Sequence, residues 1–143
     1  MHMPKIANTD NEIHQCFEVM LELRNHLTKE TFLPTIRDMQ LEGYQLAYIQ
    51  PADKVVAVAG YRIYSNLFMG KHLYIDDLVT ADAERSKGYG QQLISGLRDI
   101  AVNEGCRFFH LDSGTQRGRA HKFYFEQGLT IASYHFSETL PVG

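Results

Sequence analysis

"HLYIDDLVTADAERSKGYGQQLISGL", residues 72–97, decides the fold. It opens on an apolar run rich in β-branched and aromatic residues and passes through a charged segment with glycine at 88 and 90. It then continues as an apolar stripe at helical spacing, Leu93, Ile94, Leu97, Ile100 and Ala101, which Gly105 ends. The stretch reads as a strand from His72 to Thr80, a loop and a helix. "CRFFHLD", residues 106–112, reads as the next strand. A strand, a crossover helix and a second strand of the same sheet pair in parallel.

The loop has a chemistry of its own. Glycine tolerates positive φ and has no Cβ, so backbone can come close to a ligand. A loop that feeds a helix N-terminus turns unpaired N–H groups and the positive end of the helix dipole outward, which makes an anion site suited to pyrophosphate. Arg85 and Lys87 add charge at the same place. On the glycines alone, a second reading stands beside this one, in which Gly88 and Gly90 only shape a tight connection. "GYGQQL" lacks the third glycine of the dinucleotide fingerprint, and it lacks the G-K-[ST] of the P-loop.

Outward from this unit the chain reads without repeats or linkers, as one domain over residues 1–143. After a short strand at Lys5–Ala7, "TDNE" supplies Thr9 as an N-cap with Glu12 three residues on, a capping box. A helix follows, carried by Ile13, Cys16, Phe17, Met20 and Leu21. A weaker helix runs from about Thr28 to Glu42 and stops at Gly43, with Pro34 marking a break or first turn. "YQLAYIQ" and "VVAVAGYRIY" read as strands joined by the turn "PADK". Beyond the second strand of the β-α-β unit, "RAHKFYFEQG" reads as a short helix and "LTIASYHFSETL" as a last strand. The expected fold is α/β (α+β): a mixed central sheet, an antiparallel meander followed by a parallel β-α-β unit, with helices on both faces.

Composition removes several classes of function. A net charge of −3 leaves no electrostatic footprint for nucleic acid. No apolar run reaches the roughly 20 residues of a membrane span, and "MHMPKIANTD" has no secretory h-region. The expected compartment is the cytoplasm. Cys16 and Cys106 are too far apart in sequence for a zinc or redox motif and read as buried thiols. The seven histidines form no H-x-H or H-E-x-x-H pair, so no metal is expected.

Arg85, Gly88 and Gly90 match R/Q-x-x-G-x-G/A, and "AHKFYFEQGL" matches F-Y-x-x-x-G-hydrophobic. With these two motifs in order, the chain resembles the GCN5-related N-acetyltransferase family along its whole length, most strongly from Leu73 to Leu129. The resemblance implies an acetyl-CoA co-substrate. Its pyrophosphate would lie on Arg85, Ser86, Lys87, Gly88, Tyr89, Gly90 and Gln91. Its pantetheine arm would lie along Leu78, Val79 and Thr80, where the two parallel strands splay apart and the arm bonds to backbone like an added strand. It also implies direct acetyl transfer to an amine.

That amine must be neutral to attack, yet a lysine-like amine has a pKa of about 10.4. Asp76 and Asp77 are the acids placed to deal with its proton, through water or by binding the cation. Strand alternation sends them to opposite faces, so one of them is expected in the cleft. By position, Tyr124 matches the tyrosine that family members place near the CoA sulfur, where its phenol protonates the departing thiolate; the alternative is a core residue. Many members carry asparagine where this chain has Arg117, which would reach a phosphate or face solvent.

"LDSGTQRGRAHKFY" is similar to a subgroup that includes acetyltransferases of small aminoalkyl compounds. In that light His121 reads as structural rather than catalytic. His110 and Asp112 share a strand face and either line the cleft or pack under a helix. The resemblance therefore implies an N-acetyltransferase acting on a primary amine of a small molecule. A protein lysine or N-terminal acetyltransferase and a noncatalytic acyl-CoA-binding module are the alternatives. Acceptor choice is expected to lie in residues from about Arg24 to Phe32 and in the loop Ser65–Lys71. The tail "YHFSETL" supplies an edge strand for a homodimer.

Overall fold

The computed structural model describes residues 3–142. Contacts divide the chain into two compact units, the first running to Leu111 and the second starting at Asp112.

The first unit holds β1 (Lys5–Ile6), α1 (Asp10–Gln15), α2 (Phe17–Leu23), α3 (Lys29–Leu41), β2 (Tyr44–Ile49), β3 (Ala57–Asn66), β4 (Gly70–Thr80), α4 (Tyr89–Asn103) and β5 (Phe108–Leu111). Among the described residues these strands form one sheet in the order β1-β2-β3-β4-β5. Pairing is antiparallel from β1 to β4 and parallel between β4 and β5, the mixed sheet that the sequence implies.

Local signals set the helix ends. The Thr9 side chain accepts from the Glu12 N–H, while Glu12 accepts from the Thr9 N–H, so the capping box forms. Gly43 and Gly105 follow α3 and α4 at φ 95° and 76°, a conformation that costs other L-residues energy. Pro34 does not break α3, which runs through it. The missing N–H costs roughly 3 kcal/mol inside a helix. Burial of Phe32 and Ile36 on the same helix offsets it, at about 1.5–3 kcal/mol for each large apolar side chain.

Strand alternation builds two cores. Tyr44, Leu46, Tyr48 and Val58 pack with Ile13, Phe17 and Met20 of the first two helices and with Phe32 and Ile36 of α3. On the other face Ala47, Ala59, Leu73 and Ile75 are buried, and α4 brings Leu93, Ile94 and Leu97 to the sheet. This stripe fixes α4 against β2 through β5. Of the two thiols, Cys16 is fully buried, and burial pushes its pKa up to about 12. Cys106 is only half-buried, contrary to expectation.

The second unit contains α5 (Gly118–Glu126), closed by Gly128 at φ 85°. The strand expected at residues 129–140 is not formed; the tail has no regular structure, and Tyr134 and Phe136 are exposed. Apolar alternation is compatible with a strand, but a strand also needs a ladder of partners. Among the described residues no helix is long and apolar enough to cross a membrane.

Candidate active site

β4 carries the geometry. On one side its last residues pair fully with β3, Leu78 with Ala59, Val79 with Val58 and Thr80 with Ala57. On the other side β5 pairs only with His72 through Ile75. Among the described residues no strand pairs with that edge of β4 from Asp77 to Thr80, so its outward backbone groups are open to an extended ligand. Leu78, Val79 and Thr80, the residues expected along pantetheine, lie on this edge.

The edge leads into the glycine loop through a 3-10 turn at Asp82–Glu84, which Glu22 of α2 anchors by accepting the Asp82 N–H at 2.8 Å. Gly88, at φ 86°, is the N-cap of α4 and supplies no side-chain cap to its first turn. A Cβ at Gly88 would meet nothing within 4 Å, so the backbone conformation requires glycine there, and the space in front of it is open. Ser86 also adopts positive φ, 69°, rare for a residue with a side chain and of the kind found at ligand clamps. Arg85 pairs with Asp82 at 3.0 Å and Lys87 with Glu84 at 2.6 Å; the Glu84 hydrogen bond raises the Lys87 pKa. Exposed pairs of this kind contribute about 1 kcal/mol or less, so they yield readily to a multiply charged anion. An open, uncapped, 15-residue helix with two cations at its start fits a pyrophosphate group.

Asp76 and Asp77 depart from the expected alternation. The β3–β4 register jumps from Gly60↔Asp77 to Tyr61↔Ile75, which leaves Asp76 as a bulged residue without a partner. Arg62 binds Asp76 through two parallel bonds of 2.8 and 2.9 Å. Asp77 accepts from Arg24 Nε at 2.9 Å and from the Tyr44 hydroxyl at 2.8 Å. Tyr44 and Arg62 lie directly opposite each other on β2 and β3 and so share a face. Both carboxylates are therefore held on that face rather than on two. Burial, and then the charge of Asp77, raise the Tyr44 pKa well above its usual value, which keeps the hydroxyl protonated as donor. Sequence reasoning missed Arg62 and Tyr44. The available signal was a cation inside the otherwise apolar run "VVAVAGYRIY".

Further along the same sheet, His110 of β5 meets His72 of β4 at 2.8 Å, so this histidine bonds within the sheet. Asp112 lies beyond β5 and belongs to the second unit.

In the second unit, Tyr124 sits on α5 beside Phe123, with ring centroids 5.6 Å apart. Burial raises its pKa and Arg117 opposes the shift, so the phenol keeps its proton at neutral pH. His121 bonds the Gly114 carbonyl at 2.8 Å. Arg117 is the N-cap residue of α5 and makes no side-chain cap.

An edge strand running into an uncapped, glycine-led helix, with acids on the same strand, can hold an extended ligand that ends in a pyrophosphate. Comparison with known proteins agrees. Residues 7–129 match the model of the Acetyltransferase (GNAT) family, and the chain belongs to that family. It is an acyltransferase of the N-acetyltransferase kind.

The chain is 37% identical over 138 residues to the uncharacterized N-acetyltransferase YhdJ of Bacillus subtilis, covering 95% of this chain and 96% of that one. Over 79 residues it is 29% identical to the thialysine N-epsilon-acetyltransferase of Mus musculus, covering 51% of this chain and 46% of the mouse protein. The aminoglycoside N-acetyltransferase AAC(6')-Iy, solved with the bisubstrate analogue CoA-S-monomethyl-acetylneamine, shares the fold at a TM-score of 0.85 and 14% identity. That likeness covers 99% of each chain.

Proposed function

We propose that residues 1–143 act as one acetyl-CoA-dependent N-acetyltransferase domain, transferring the acetyl group directly from the thioester to the primary amine of a small molecule. The observation that carries this reading is the edge of β4 from Asp77 to Thr80, with which no strand pairs among the described residues, leading toward the start of α4. Leu78, Val79 and Thr80 bond the pantetheine arm, and Arg85 through Gln91 hold the pyrophosphate. Arg117 adds charge toward a phosphate.

All four oxygens of Asp76 and Asp77 already accept a hydrogen bond. Each carboxylate therefore serves better to bind the ammonium form through a remaining lone pair than as a free base, and water takes the proton. Tyr124 protonates the leaving thiolate. The names of the relatives support a small acceptor, because the mouse protein is named for thialysine and the structural neighbour for aminoglycosides.

We place the protein in the cytoplasm, where acetyl-CoA is available. A homodimer, which the tail no longer supports as a strand, rests on the exposed Tyr134 and Phe136. Light scattering tests it.

The donor half of the proposal is tested by thermal shift. Acetyl-CoA at saturation, taken as about 100 Kd, should stabilise the protein by about 2.7 kcal/mol, and S-acetylpantetheine at the same concentration by clearly less. Equal shifts would remove the pyrophosphate site from the account.

A further inference from the structure

We infer that the acceptor is a zwitterion: an amine that also carries a carboxylate, phosphonate or similar anionic group, with Arg24 and Arg62 holding the anionic end. This rests on the acetyltransferase reading above and names its substrate class.

The β4 bulge gathers four charged side chains on one face, two carboxylates and two guanidinium groups. Arg62 uses Nε and Nη2 on the two oxygens of Asp76. Arg24 uses Nε on Asp77 and Nη2 on the backbone carbonyl of Asp76. In both residues Nη1 bonds to nothing among the described residues. The arginine side chains are 41% and 37% exposed, whereas Asp77 and Asp76 are 13% and 23% exposed. The carboxylates are thus the more buried partner of each pair, and each guanidinium keeps a nitrogen not engaged among the described residues. Arg62 is further steadied by the rings of Tyr64 and Tyr74, whose centroids lie 5.3 and 5.8 Å from its guanidinium carbon.

Charge decides which acceptor suits this arrangement. The four groups sum to zero, so a purely cationic amine would add an unbalanced charge beside two guanidiniums. A zwitterion adds none. Its ammonium meets the carboxylates, and its anion takes those unengaged nitrogens in charge-assisted bonds.

The test compares matched acceptors with the wild-type protein: β-alanine against β-alaninamide, lysine against cadaverine, 3-aminopropylphosphonate against propylamine. The anionic member of at least one pair should show a kcat/KM at least about tenfold higher, the order expected for one charged hydrogen bond. Arg24→Gln and Arg62→Gln should raise KM for that acceptor by a similar factor and by clearly more than for its partner without the anionic group, with KM for acetyl-CoA unchanged. Turnover of the members without an anionic group as efficient as that of the members that carry one would overturn the zwitterion and leave acetyl transfer standing. A lowered Tm in the variants with acceptor KM unaltered would likewise overturn it, making the pairs purely structural. No turnover with any amine would overturn both readings.

Discussion

Tyr124→Phe is expected to bind acetyl-CoA as the wild type does and to turn over about a hundredfold more slowly, near the low end of general acid catalysis. The substitution keeps the ring against Phe123 and removes only the hydroxyl. Burial holds that phenol protonated, so at neutral pH it is a donor and not a base. A thiol of pKa about 8.5 is already a fair leaving group, which is why the loss should not approach the upper end. The effect should fall on kcat, with acetyl-CoA affinity and Tm close to wild type. Wild-type kcat in the variant would make Tyr124 a packing residue and leave protonation of the thiolate to water.

Gly60→Ala should be the most damaging single-methyl change in the sheet. A Cβ at this position would overlap the hydroxyl and ring of Tyr44, with Cε1 at 2.6 Å. Tyr44 is 1% exposed and cannot swing into solvent. Overpacking costs about 1–3 kcal/mol. Displacing Tyr44 also strips Asp77 of its 2.8 Å donor, at about 1–3 kcal/mol for a partly buried acceptor left unpaired. A total near 3 kcal/mol or more corresponds to a Tm lower by about 10 °C in a protein of this length. Tyr44→Phe, which loses the hydrogen bond without the overlap, should cost visibly less. A Gly60→Ala melt within two degrees or so of wild type would mean that β3 shifts to admit the methyl group.

Gly60 also marks the limit of what one sequence shows. Helix ends were legible because their causes are local: Thr9 and Glu12 three residues apart, and glycine after α3, α4 and α5. The β-α-β unit was legible because periodicity changes from strand to helix and back within one continuous stretch. The bulge at Asp76 was not, because register belongs to a pair of strands and Gly60 lies 16 positions before Asp76. For the same reason Arg24 and Tyr44, partners of Asp77, carry no local mark of their role, and Arg62 carries only its charge inside an apolar run. The tail failed in the opposite direction. Its alternation is strand-like, but the described residues give it no ladder. The two acids were thus singled out by position, while their common face and their guanidinium partners required the fold.

The central claim is direct acetyl transfer from the thioester to an amine. Its most direct test is incubation of the protein with acetyl-CoA labelled in the acetyl group and the best acceptor from the matched pairs, followed by mass spectrometry of both acceptor and protein. The account predicts labelled acetyl on the acceptor nitrogen, one CoA thiol released for each acetyl transferred, and unlabelled protein during turnover. Label carried on the protein as an intermediate, for instance on Cys106, or thiol released with no acetylated acceptor, would contradict it.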